Sequence, residues 1–340
     1  MARSRCRRAS WTPGRRSSAN SIRAFWRRSR KAACKRQAKP SRGGDEGASL
    51  RARVPAPSGD CERRYTAMSQ LLPSSRRALL YLVTAFAITW VAWWSLVALS
   101  QAGLTRYGQW PFMSLYVIGG LGPTIAAYVA VCLTRSSDVL REFNRRVLNW
   151  RVGPPWYLFA LGLPIILGFV ALGVAVALRP SVMEAIAIRP WYVFPLLLAM
   201  TIIGGGLEEF GWRGILQEEW GPVIGPARAA LLIGPIWAVW HLPLFWMPGV
   251  SQYHGQFAPF LLGVMGNALL FGWLYSGTRS ILLCVLMHAA TNAVTMLGVA
   301  VPTGVGLSLI GPGVSLAVGA LLFLARGRHS HADVDHRSTL

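Results

Sequence analysis

The sequence predicts an all-α protein: a polytopic bundle of about eight transmembrane helices behind a disordered basic N-terminal tail. Three observations carry that prediction. Of the 340 residues 53% are hydrophobic and only 14% charged, with a mean hydropathy of +0.39. Apolar windows of membrane-crossing length recur from residue 79 onward and hold almost no charge. Fifteen tryptophans suit such a chain, because Trp collects where bilayer meets water.

The tail comes first. The net charge of +22 invites a nucleic-acid reading, but residues 1–67 hold 19 Lys and Arg against 4 acids, including all three lysines, Lys31, Lys35 and Lys39. The basicity is therefore mostly a tail property, and no nucleic-acid partner is expected. The tail is rich in Arg, Ser, Ala and Pro without apolar periodicity, so it cannot bury enough surface to offset the entropy of ordering. It resembles a transit peptide in composition, and it could also serve as an arm for anionic lipid. A third reading, an over-extended frame, is favoured by Met68, which opens a short polar lead with Arg76 and Arg77 before an apolar run. Residues 68–340 would then be the transmembrane domain. Cys6, Cys34 and Cys61 lie in the tail, Cys132 and Cys284 in apolar runs, and no CxxC pair occurs. Neither a disulfide framework nor a zinc knuckle is expected.

The spans are expected near residues 79–100, 112–134, 156–178, 191–207, 228–247, 256–276, 280–299 and 304–325. Between the second and third, Leu140, Phe143 and Val147 keep a helical spacing beside Arg141, Arg145 and Arg146, which fits a short amphipathic helix reaching lipid phosphates, or a plain basic loop. Those arginines, with Arg135, Arg151, Arg213, Arg228, Arg279, Arg326, Arg328 and Arg337, put the connections after spans two, four, six and eight on one side. Only Arg106, Arg179 and Arg189 fall on the other. The positive-inside rule then sets both termini in the cytoplasm, as suits a multi-pass protein of a bacterial cytoplasmic (inner) membrane. Glu218 and Glu219, in GILQEEWGP, are expected on a solvated interfacial face. No internal repeat indicates an inverted-repeat transporter.

Chemistry concentrates in one third of the chain. From Tyr192 to Ala325 the only acids are Glu208, Glu209, Glu218 and Glu219, and the only histidines are His241, His254 and His288. Ionisable groups at membrane depth are costly, so their default reading is functional. In GGGLEEFGWRG the pair Glu208–Glu209 is placed at the cytoplasmic end of span four. Glu209 and Arg213 are four apart, the acid-first order that stabilises a helical ion pair. Glu208 is turned about 100° away and left as a general base. In PIWAVWHLPLFW, His241 lies between Pro235 and Pro243 with Trp237 one turn earlier, which suggests a kink where a polar group is needed. In LMHAATNAV, His288 and Asn292 are four apart on one face. Each histidine alone has a structural reading as helix-to-helix glue. Together the five groups fit activation of water. Two versions stay open: Glu as base with His and Asn donating to an oxyanion, or His241, His288 and Glu208 as ligands of one divalent metal with a bound water.

These motifs resemble those of the CPBP family, which includes type II CAAX prenyl endopeptidases and bacteriocin-processing and self-immunity proteins. EExxxR is met by Glu208, Glu209 and Arg213; FxxxH by Trp237 and His241, with Trp for the usual Phe; and HxxxN by His288 and Asn292. The resemblance covers residues 112–300, most strongly 200–295, and the Phe-to-Trp exchange is expected to change packing alone. It implies an intramembrane (metallo)endopeptidase, with Glu208, Glu209, His241, His288 and Asn292 in catalysis and Arg213 and Trp237 in support. Zinc is the metal implied if one is held, and a membrane protein or peptide in the lipid bilayer is the implied partner. HExxH, GxSxG and GxGD are all missing. A non-catalytic scaffold or self-immunity protein is the alternative, and a proton-coupled carrier a third.

Overall fold

The computed structural model describes residues 76–133, 137–302 and 306–337, with side chains as far as residue 326. The tail of residues 1–67, Met68 as a start, Arg135, and the side chains of Arg328 and Arg337 lie outside the described residues. Among these residues the regular elements are all helical. In chain order they are α1 (Arg76–Gln101), α2 (Trp110–Gly120), α3 (Gly122–Cys132), α4 (Ser137–Val147), α5 (Pro154–Leu178), α6 (Phe194–Ile203), α7 (Glu218–Ile224), α8 (Pro226–Trp240), α9 (Phe257–Thr278), α10 (Ile281–Leu297) and α11 (Ile310–Arg337). A single helical turn, Glu209–Gly211, and a π-helical turn, Trp212–Gln217, lead into α7.

Polar contacts show which helix ends meet. At one end Arg77 pairs with Glu219, Asn149 donates to the Thr278 carbonyl, and Arg326 donates to the Ser276 carbonyl. At the other end Gln101 donates to the Trp246 carbonyl, the Arg189 amide to Leu297, and Ser308 to Gln256. The chain thus alternates between two ends, and the connections expected on one side of the membrane do share one end. Among the described residues five helical segments are long and apolar enough to cross a bilayer, and six if the bent pair α2–α3 counts as one span. The two remaining expected spans also form helices, shorter ones. Helix α10 and the apolar part of α11, Ile310–Arg326, have at most 17 residues, a rise of about 26 Å against a hydrocarbon core of about 30 Å. The apolar windows of the sequence had run on into flanking loop residues.

The 44° bend between α2 and α3 has a clear cause. Pro123 lacks the N–H that would bond the Gly119 carbonyl, and the Thr89 hydroxyl of α1 donates to that oxygen instead, at 2.7 Å. Helix α4 is amphipathic as expected, with Phe143 and Val147 buried. Its arginines do not all face lipid. Arg141 pairs with Asp138 and Arg145 with Glu142, whose carboxyl the Arg145 hydrogen bond holds below its ordinary range. That pair is exposed and adds little stability. Arg146 is buried and donates to the Gly214 carbonyl at 3.3 Å and to Tyr275 Oη at 2.6 Å.

Glu218 completes this latch, so the solvated face expected for it and Glu219 is not what forms. Glu218 pairs with Arg146 (3.2 Å) and Arg279 (2.5 Å) and accepts from Tyr275 Oη (2.7 Å), while the Glu219 side chain is 7% exposed beside Arg77. Burial among cations from three other segments overrides a local pattern that reads as interfacial. Glu218→Ala leaves the buried Arg146 with only the 3.9 Å approach to Glu142, and a loss of about 3 kcal/mol is expected. The thermal midpoint in detergent checks it: an unchanged midpoint means the latch is not structural.

Candidate active site

The site begins where α6 stops. After Ile203 the chain passes through Gly204 and Gly205, the latter at φ +154°, and re-enters helix over Gly206–Glu208. The glycines there answer to close packing against α10. A methyl group at Gly206 would lie 2.9 Å from the Val285 carbonyl oxygen. At Gly205 it would collide with Asn292 Nδ2 and lie 3.1 Å from His288 Nε2. Two further bonds pin this turn: Thr124 Oγ1 of α3 donates to the Leu207 carbonyl, and Thr201 Oγ1 of α6 to the Ala289 carbonyl of α10, at 2.7 and 2.8 Å. The composite segment runs from Trp191 to Ile224, 34 residues, so the glutamate pair lies midway along it rather than at its end. The glycine break and the π-helical turn make that length, and neither shows in an apolar count.

Both carboxylates point inward and are held differently. Glu209 is 0% exposed; its Oε2 meets Arg213 Nη1 and its Oε1 meets His288 Nδ1, each at 2.9 Å. Arg213 is also fully buried, its guanidinium lying 5.3 Å from the Trp237 ring and 5.4 Å from that of Phe271. Glu208 is 6% exposed and has no ion pair among the described residues. Its Oε2 accepts from the indole N–H groups of Trp237 at 2.7 Å and Trp212 at 3.3 Å.

The histidines are oriented by acceptors. His288 Nδ1 faces the ion-paired Glu209 carboxylate and so carries the proton, leaving Nε2 as an acceptor in the neutral ring. His241 ends α8, where its backbone N–H switches to the Ala238 carbonyl at 3.1 Å and Pro243 supplies none. The Trp237 carbonyl then takes the ring's Nδ1–H at 2.9 Å, and Nε2 is again an acceptor. No hydrogen bond joins His241 to Glu208 among the described residues; the link runs through Trp237, whose ring lies 6.0 Å from His241 and 5.2 Å from His288. The structure therefore gathers Glu208, Glu209, Arg213, Trp237, His288 and Asn292 directly, with His241 one residue removed.

Residues 190–294 match the family model described as type II CAAX prenyl endopeptidase, Rce1-like, and all of these side chains fall inside that stretch. Over that stretch the chain is similar to this family. A curated relative, CAAX prenyl protease 2 of Methanococcus maripaludis, is 20% identical over 229 residues, covering 63% of this chain and 82% of the relative. Its membrane-length apolar helices make the chain an integral membrane protein.

Two expectations change against the geometry. The Phe-to-Trp exchange at Trp237 does more than alter packing, because its indole N–H bonds the Glu208 carboxylate, a contact a phenyl ring cannot make. Oxyanion donation by both imidazoles also fails for the neutral rings, since each Nδ1–H is already spent; Asn292 Nδ2 is the remaining side-chain donor beside His288. The lone pairs left for a metal are Glu208 Oε1, His288 Nε2 and His241 Nε2. Among the described residues no three His, Cys, Asp or Glu side chains stand so as to hold an ion.

Sequence reasoning assigned nothing to Trp212, though it lies four residues after Glu208, the same spacing that identified Arg213. Thr124 and Thr201 gave no signal at all. The glycines supply a test that separates neighbours. Gly205→Ala is expected to displace Asn292 and His288 and lower turnover on the order of 100-fold, whereas Gly204→Ala, whose methyl would meet its nearest atom at 3.4 Å, is tolerated. Equal rates for the two variants would remove Gly205 from the site.

Proposed function

We propose that this chain is an intramembrane endopeptidase that hydrolyses a peptide or lipidated protein segment at the cytoplasmic membrane face, with Glu208 as general base. One observation carries the reading: a buried carboxylate with one oxygen tied to two N–H donors and no ion pair among the described residues, beside a second carboxylate that orients an imidazole. That is a division of labour suited to moving a proton rather than to holding helices together.

In this mechanism Glu208 Oε1 takes a proton from water while the water oxygen bonds to the scissile carbonyl carbon. A neutral imidazole, at His288 Nε2 or His241 Nε2, accepts the water's other hydrogen and orients its lone pair. Asn292 Nδ2–H donates to the carbonyl oxygen as charge develops there. The C–N bond then breaks, and the Glu208 carboxylic acid returns its proton to the leaving nitrogen. Glu209 and Arg213 fix His288 without touching the reacting atoms. No step needs a metal.

The arginine-bearing connections share one end with the Glu218 latch, which supports assigning that end, and both termini, to the cytoplasm. Substrates reaching it would be membrane-associated peptides or proteins. The deciding experiment is mass spectrometry of membrane peptides from matched strains carrying wild type or Glu208→Gln. Cleavage products present only with wild type support the reading. Identical peptide pools lacking any product, or proton-gradient-dependent flux in liposomes, reject it; products that persist in the Glu208→Gln strain reject the base. Elemental analysis with about one metal per chain and loss of cleavage on chelation would instead favour the metal-assisted version.

A further inference from the structure

One residue, Trp237, touches Glu208, Arg213, His241 and His288. The indole N–H of Trp237 donates to Glu208 Oε2 at 2.7 Å, its backbone carbonyl takes His241 Nδ1–H at 2.9 Å, its ring face lies 5.3 Å from the Arg213 guanidinium, and its ring meets His288 edge-on at 5.2 Å. Trp212 adds a second, longer N–H to the same Glu208 oxygen and packs against Trp237 with ring centroids 6.1 Å apart. A ring needed only for filling would not aim its one polar atom at the buried acid. The Nε1 atoms of Trp220, Trp240 and the half-buried Trp273 are themselves buried and have no hydrogen-bond partner among the described residues, so burial alone does not bring an indole to an acceptor in this protein.

We infer that Trp237, assisted by Trp212, is the positioning residue of the site: it fastens Oε2 of Glu208 and so leaves Oε1 as the oxygen that meets water. The inference rests on Glu208 acting as base, and it goes further by assigning which carboxylate oxygen works and what aims it. A syn or anti lone pair on a freely turning carboxyl sweeps a wide arc. Two donors on one oxygen remove that freedom before substrate arrives. The same residue orders His241 through its carbonyl, so the base and one imidazole share a single support.

The test needs no substrate for its first arm. With ¹⁵N-indole-labelled protein in detergent micelles, the Trp237 Nε1–H resonance is expected downfield of the Trp273 resonance, which serves as the unpaired reference. Glu208→Ala is expected to move it toward that reference without moving Trp273. The second arm uses 3-benzothienylalanine at position 237, which keeps ring shape and backbone carbonyl and exchanges N–H for sulfur. Against a quenched peptide pool in liposomes, the rate at saturation should fall on the order of 10- to 100-fold with the half-saturation concentration unchanged. Trp212→Phe should lose less, as the longer bond implies. An unshifted Trp237 resonance, or full activity with the sulfur ring while Glu208→Gln is inactive, overturns the positioning role and leaves the base standing. Activity that survives Glu208→Gln overturns the base itself.

Discussion

Exchanging Glu208 for Gln is expected to lower cleavage on the order of 100- to 10,000-fold, the range lost with a general base, while the protein folds as before. The amide carbonyl of Gln can still accept from Trp237 and Trp212, so the buried polar network keeps its acceptor. The amide nitrogen that replaces Oε1 has its lone pair delocalised into the carbonyl and cannot take a proton from water. Turnover in membranes and the thermal midpoint in detergent read the two halves separately. A lost midpoint would show that Glu208 is structural; cleavage within a few-fold of wild type would show that another group moves the proton.

The second large effect concerns stability. Glu209 and Arg213 are both fully buried, and Arg213 has Nε and Nη2 without partners. Arg213→Met strands a carboxylate with only His288 beside it, at an expected cost of about 3 to 5 kcal/mol. The double variant Glu209→Gln, Arg213→Met should recover part of that loss, because a desolvated charge is removed with its partner. A double-mutant cycle in detergent, read by urea or thermal unfolding, gives the coupling directly. If the single replacement is as stable as wild type, the pair does not hold this turn together.

What the sequence disclosed divides along the range of the interactions. Glu209 and Arg213 were legible because helical geometry alone puts residues four apart on one face, and the same holds for His288 with Asn292. The Trp237 bond to Glu208 spans 29 residues and the Arg77 bond to Glu219 spans 142. No local period encodes such partners, which is why Glu219 read as solvated and Trp237 as packing. Span boundaries were less legible for a different reason. Hydropathy marks where residues are apolar, while Pro123 and Gly204–Gly205 decide where helices bend or stop, and a window average passes over both.

The π-helical turn over Trp212–Gln217 is in effect one additional residue accommodated between the acid pair and α7. The wider turn absorbs that residue, so the faces before and after it keep the phase that ordinary winding would give with one residue fewer. Wound as plain α-helix at the same length, the carboxyl groups would turn by about 100° relative to Glu218 and away from α10, with every amino acid of the motif still present. Length between landmarks, as much as their identity, is thus part of what this stretch encodes.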